Sequence, residues 1–310
     1  MQRFKNIVYL ADGAIADTAA FEQAAKLAVD NQASLTILAV WEDIEPSRYL
    51  SDHLFELLEG ALDAEIDDTV ERLRDKGRQI GIEADVEKRL GKPFLEAVHA
   101  VSDFGFDLLV KTARPPSGTL DRLLGSTDHH LVRKCPCPVW IEPESSPRGT
   151  NKILAAVDPQ TPHDPELEGR IVELASSMAE RRDAELHLVH AWRLPGESML
   201  HSGRTQVPLE TVEAMREEAR EDHRKALEKL LERHNKAGRD THIHLREGAA
   251  SDVILSVARE EECDLLVMGT VGRVGIPGLF ISNTAEDALN DLPCAVLAIK
   301  PEGFVSPVQA

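Results

Sequence analysis

The sequence predicts an α/β protein of two repeated domains, each a five-stranded parallel sheet with helices on both faces. Three observations carry that expectation. Short apolar runs such as Leu265-Leu266-Val267-Met268 alternate with longer amphipathic stretches, the order that builds a parallel sheet through right-handed crossovers. The chain also repeats itself: Asp107 recurs as Asp264, Gly91 as Gly248 and Pro136 as Pro293, each 157 residues further on. Finally, the run ending at Met268 stops at Gly269, and a glycine-bearing loop leads to Ser282-Asn283-Thr284, residue types that cap a helix.

In the first copy, strand one is expected over residues 6–12, with a helix opening near Asp17. Strand two follows over 34–41. A long amphipathic helix lies within 48–81, with Leu54, Leu57, Leu58, Leu62, Ile66 and Val70 on one side at helical spacing. Strand three is expected near 83–88, strand four over 107–111 and strand five over 137–141. The second copy reopens at Lys152-Ile-Leu-Ala-Ala-Val-Asp158, which matches the segment ending at Asp12, and Leu186–Trp192 matches Leu35–Trp41. Its long helix, 209–237, is dense in Glu, Arg and Lys around Val212, Met215, Ala219, Ala226, Leu227 and Leu230. That charge pattern reads as a solvated face laced with i,i+4 pairs. Residues 193–208, rich in Gly, Ser and Pro, read as a flap beside the crevice. A polar linker at 142–150 separates domains expected at 1–144 and 151–301. The apolar runs 138–141 and 295–299 are candidates to pair within the chain, as an internal pseudo-dimer. Whether two chains then associate as a homodimer stays open.

A net charge of −19 argues against a nucleic-acid partner, since phosphate backbones are bound by Lys and Arg patches and none is evident. No membrane-length apolar run occurs, and the first residues carry no leader-like apolar stretch, so a cytoplasmic location is expected. Cys135, Cys137, Cys263 and Cys294 lack the paired spacing of a zinc or redox site and read as buried free thiols.

Strand, glycine loop and helix start together form an arrangement that binds phosphate, because free backbone N–H groups and the positive helix end face the loop. Gly269 and Gly272 would let backbone approach an anion, and either could take a positive φ. The loop is too long for a P-loop and lacks its Gly-Lys-Ser ending. It also follows a late strand rather than the first, unlike a dinucleotide fingerprint. In such sheets ligands sit at the carboxyl ends of strands near a topological switch point, where Asp12, Asp158 and the Gly269 loop all fall.

Both copies resemble the universal stress protein domain. Its pattern is a Gly, two residues, a Gly, nine residues, then Gly-Ser or Gly-Thr. Gly269, Gly272 and Ser282-Asn283 stand at those spacings. Asp291-Leu-Pro-Cys-Ala-Val-Leu-Ala-Ile-Lys300 resembles the family's closing strand, and Ala156-Val157-Asp158 its opening strand end. The resemblance covers the chain twice and is similar to the tandem bacterial type. It implies a Rossmann-like fold of the adenine nucleotide alpha hydrolase-like kind and a stress-response role. It also implies ATP or AMP as ligand, with Mg²⁺. By position, it places Asp158 and Ala191 beside the base, and Met268, Gly269, Val271, Gly272, Ser282, Asn283 and Thr284 around ribose and phosphates, with Ala156 and Val157 also among the nucleotide-binding residues. Ser282 stands where the family has Gly. If that position needs φ > 0, serine costs ~1–2 kcal/mol, enough to weaken binding about tenfold.

The first copy departs further. At the same offset Thr112 replaces Gly269 and Pro115 replaces Gly272, while Gly125-Ser126 survive. Proline removes a donor and fixes φ, so no family-type nucleotide site is expected there. Lys111 and Arg114 remain as groups that could attract an anion. Metal ligation is not assigned. His129-His130 diverge on a helix, His187 and His190 face opposite sides of a strand, and His242 and His244 share a face that admits a metal site, although solvent or core histidines are the expected reading. No nucleophile elbow, general base or Walker-type Lys can be named, so the expected mode is ligand binding and protein interaction rather than turnover. The alternatives are a slow ATPase, or a binding protein for an apolar or acyl-bearing metabolite.

Overall fold

The computed structural model describes residues 4–12, 18–42, 51–113, 126–144, 151–160, 165–194, 196, 207–235, 238, 240–270 and 292–308. Two compact units divide the chain. The first comprises Gln2–Arg148 with Ala295–Ala298 and Gly303–Ala310, and the second Gly149–Cys294 with Ile299–Glu302.

The first unit runs β1 (Asn6–Ala11), α1 (Thr18–Asn31), β2 (Ser34–Trp41), α2 (Asp52–Ile80), β3 (Asp85–Leu90), α3 (Pro93–Phe104), β4 (Leu108–Thr112), α4 (Ser126–Lys134) and β5 (Val139–Glu142). Its strands lie in the order β3-β2-β1-β4-β5, all parallel. On the outer side of β5, β10 (Ala295–Ile299) joins this unit antiparallel, with Val296 opposite Ile141 and Leu297 opposite Trp140. The second unit runs β6 (Lys152–Ala156), α5 (Pro165–Arg182), β7 (Glu185–Trp192), α6 (Leu209–His234), β8 (Thr241–Glu247), α7 (Ala250–Glu260) and β9 (Leu265–Gly269). Its strands are parallel in the order β9-β6-β7-β8.

The duplication is visible in hydrogen bonds. Asp107 accepts from the Lys5 and Asn6 N–H groups at 2.6 and 3.0 Å, and Asp264 accepts from Asn151 and Lys152 at 2.8 and 3.0 Å. Each aspartate thus ties the start of a fourth strand to the start of a first. Gly91 and Gly248 both hold φ values that side chains rarely adopt, +143° and +154°. Each donates its N–H to the tryptophan ending the second strand of its copy, Trp41 at 2.8 Å and Trp192 at 2.9 Å. The third strand therefore ends on a glycine in both copies because the turn into the next helix needs one.

Two expectations are corrected. Strand three is Asp85–Leu90 rather than 83–88, because its register is set by pairing with β2, Thr36 opposite Asp85 through Trp41 opposite Leu90. The apolar side of α2 is buried only in its second half, at Ile66, Thr69, Val70, Leu73 and Gly77. Leu54, Leu57 and Leu58 are exposed. The reason is length: a 29-residue helix extends about 44 Å at 1.5 Å per residue, far more than a neighbouring eight-residue strand, so its first turns overhang the sheet. In α6, Val212, His223, Leu227 and Leu230 are buried, while Arg220–Glu217, Arg224–Glu221 and Lys225–Glu221 pair along the outer face, and Met215 is exposed.

All four cysteines are free and buried. Burial is the main cause that pushes the Cys263 thiol up to about 12 from 9.0. Because the thiolate is the nucleophile, native Cys263 is expected to alkylate at pH 8 about a thousandfold more slowly than an exposed thiol. Peptide mapping after timed iodoacetamide treatment checks this, and fast labelling of the native chain would contradict it. No described helix is long and apolar enough to cross a membrane.

Candidate functional site

In the second unit the chain moves outward from β6 to β7 and β8, then returns to place β9 on the other side of β6. The switch point lies between β6 and β9, where open parallel sheets bind ligands at their carboxyl ends. Ala156 pairs with Met268 on one side and with Val189 on the other. Continuing that register brings Asp158 level with Thr270 and with Ala191. The carried-over residues Ala156, Val157, Asp158, Ala191, Met268 and Gly269 therefore converge on one end of the sheet. Val271, Gly272, Ser282, Asn283 and Thr284 lie outside the described residues, as does most of the expected flap.

Residues that sequence reasoning passed over hold this strand end. The Val157 N–H donates to Val189 O at 3.0 Å, and the Asp158 N–H donates to the Glu168 carboxylate at 2.8 Å. Glu168 sits in the first turn of α5 and is buried. His190 Nδ1 lies 2.9 Å from Val157 O. A carbonyl only accepts, so Nδ1 carries the proton, and Nε2 meets His223 Nδ1 from α6 at 2.9 Å. A chain of hydrogen bonds thus runs from α6 through β7 to the backbone just before Asp158. The usable signal was His190 on the same strand face as the apolar Leu188 and Trp192.

Gly269 is used differently from the expectation of a positive φ. It is not in the left-handed region, and a Cβ there would stand 3.0 Å from Leu167 Cδ2 and 3.5 Å from Ile171 Cδ1. The missing side chain lets α5 close over the end of β9. The next residue is pinned in turn, with Thr270 N donating to Ile299 O at 3.0 Å.

The equivalent place in the first unit is filled from within. Lys111, aligned with Met268, is fully buried, and its Nζ stands 3.3 Å from Asp12 Oδ2 and 2.8 Å from Asp128 Oδ1. It also donates to Thr112 O at 2.7 Å. The expectation that Lys111 could attract an external anion is therefore corrected: its charge is committed to two carboxylates and a carbonyl. Arg114, Pro115 and Gly125 lie outside the described residues. Lys111 interrupting the apolar run Leu108-Leu109-Val110 was the readable sign of an internal ion cluster.

Universal stress protein E of Escherichia coli K12 is 30% identical over 222 residues, covering 70% of this chain and 68% of that one. Among solved structures, a functionally unknown protein of Pseudomonas aeruginosa PAO1 superposes with a TM-score of 0.69 at 25% identity, covering 97% of this chain and 94% of that one. A universal stress protein of Archaeoglobus fulgidus DSM 4304 shares the fold at a TM-score of 0.66 and 18% identity, covering 94% and 98%. The model of the universal stress protein family matches residues 3–143 and again residues 149–300. Two matches in register with the repeat mean that this chain belongs to the universal stress protein family and carries two of its domains in tandem.

Proposed function

We propose that the second copy, residues 151–301, binds an adenine nucleotide, ATP or AMP with Mg²⁺, and that the chain serves the stress response in the cytoplasm through ligand-dependent protein interaction. The observation that supports this most is the meeting of Asp158, Ala191 and Met268-Gly269 at the carboxyl ends of β6, β7 and β9, on either side of the switch point. An acidic side chain at the end of β6 suits recognition of ribose hydroxyls or an adenine amino group. The loop that starts at Gly269 carries Gly272 and leads to Ser282, Asn283 and Thr284, whose backbone N–H and hydroxyl groups would receive phosphates. The first copy, residues 1–144, is assigned a structural role, because Lys111 already neutralises the strand-end Asp12.

Calorimetric titration with Mg-ATP, on the intact chain and on Gly272→Val, tests the reading. One-site saturable binding that is lost in the variant is the expected result. A flat titration, on protein shown by mass spectrometry to carry no ligand, would overturn it. An acyl-bearing molecule released on denaturation would favour the metabolite alternative. Steady phosphate release by the intact chain would make it a slow ATPase.

A further inference from the structure

At the far end of β7 from the proposed nucleotide crevice, three histidines and two glutamates meet. Glu185 and His187 lie on one face near the start of β7, His242 and His244 project from β8 beside them, and Glu261 follows α7. The His187 ring stacks on His242 with centroids 4.8 Å apart and on His244 at 5.3 Å. His187 Nδ1 stands 3.0 Å from His244 Nε2 and 4.0 Å from Glu261 Oε2. The far nitrogen of His187, Nε2, lies 3.5 Å from Glu185 Oε2.

We propose that His187 Nδ1, His244 Nε2 and a Glu261 carboxylate oxygen form a divalent transition-metal site that binds zinc. Ligand atoms around a tetrahedral zinc with bonds near 2.0–2.1 Å are about 3.3 Å apart. The 3.0 and 4.0 Å separations bracket that value, so a metal needs only side-chain adjustment. Glu185 acts as the outer carboxylate. By accepting from Nε2–H it fixes the tautomer that leaves a lone pair on Nδ1, the arrangement that orients metal-bound histidines. In the metal-free chain His244 Nε2–H donates to that lone pair, and zinc takes this position once the His244 proton moves through solvent from Nε2 to Nδ1, which leaves Nε2 its lone pair. The nearby Arg246 attracts Glu261 only through its charge, a smaller effect than its pairing with Glu260. Its guanidinium binds Glu260 through two bonds of 2.9 and 2.7 Å.

Two nitrogens and one carboxylate oxygen form a borderline donor set suited to zinc, and three protein ligands leave a fourth position for water. The alternative trio of Glu185, His187 and His242 would use the other nitrogen of His187 and has two exposed members. The site would join β7, β8 and the α7–β9 connection, three segments distant in sequence.

The test is a zinc chloride titration of the tag-free, chelator-stripped full chain by calorimetry, with thermal melting alongside. One equivalent of zinc should bind, and saturation should raise the melting midpoint by several degrees. His244→Ala and Glu261→Gln should each weaken binding at least tenfold, and Glu185→Gln by about tenfold, while His242→Ala leaves it unchanged. His244 and Glu261 are only partly buried, so their variants are read on folded protein. The absence of stoichiometric binding, affinity unaltered in both His244→Ala and Glu261→Gln, or affinity lost in His242→Ala would each overturn the proposal.

Discussion

Lys111→Met is expected to destabilise the first unit by ~3–5 kcal/mol. The ammonium is fully buried between Asp12 and Asp128, of which Asp128 is itself fully buried. Removing the cation leaves two carboxylates facing each other in a site of low polarity, and like charges at that spacing repel strongly. Urea unfolding monitored by fluorescence and circular dichroism measures the loss. Lys111→Met combined with Asp12→Asn and Asp128→Asn should recover most of the lost stability, because a neutral cluster has no charge left to desolvate. A single variant within about 1 kcal/mol of the parent would show that water reaches the cluster after all. The same variants bear on function. If Lys111 is what neutralises the first-copy strand-end aspartate, the triple variant should still bind no nucleotide there, since Thr112 and Pro115 remain.

Trp140→Ala should cost a similar ~3–5 kcal/mol. Among the described residues Trp140 is the largest fully buried side chain, at the middle of β5 between Val110 of β4 and Leu297 of β10. Its Nε1–H donates to Glu142 Oε2 at 2.7 Å inside the core. Truncation therefore opens a cavity in the sheet and takes a donor from a buried carboxylate, two penalties that add. Trp140→Phe separates them. It keeps most of the volume and loses the donor, and should cost ~1–3 kcal/mol. A double-mutant cycle of Trp140→Phe with Glu142→Gln should return a coupling of ~0.5–3 kcal/mol. Zero coupling would mean that the bond contributes nothing and the tryptophan acts by volume alone. Because β5 also carries the pairing with β10, the alanine variant is expected to expose Ala295–Ala298 to proteolysis as well, which limited chymotrypsin digestion can follow through cleavage after Leu297.

The arrangement of strands and helices was readable because burial on both sheet faces leaves uninterrupted apolar runs, and amphipathic helices leave a 3.6-residue period. The repeat was readable because Asp107 and Asp264, like Gly91 and Gly248, perform one backbone task each, and few other residues can perform it. The α2 stripe misled in its first half. Periodicity reports which face of a helix is apolar, but how much of that face meets a sheet depends on the length of the sheet. Gly269 misled in a different way, since a glycine permits both a left-handed turn and close helix packing, and only the position of Leu167 and Ile171 distinguishes them.

The sequence alone determined the two-domain α/β architecture, the asymmetry between a glycine-bearing and a glycine-poor copy, and the strand-end aspartates. These depend on local patterns along the chain: side-chain period, backbone permissiveness and capping chemistry. Only the tertiary structure decided which distant polar groups meet. Lys111 with Asp12 and Asp128, Glu168 with the Asp158 N–H, His190 with His223, and His187 with His244 and Glu261 each join segments that are neighbours only after the parallel register is set. A buried polar side chain is committed by whichever partner its register brings within bonding distance, and no spacing within a single element encodes that distance.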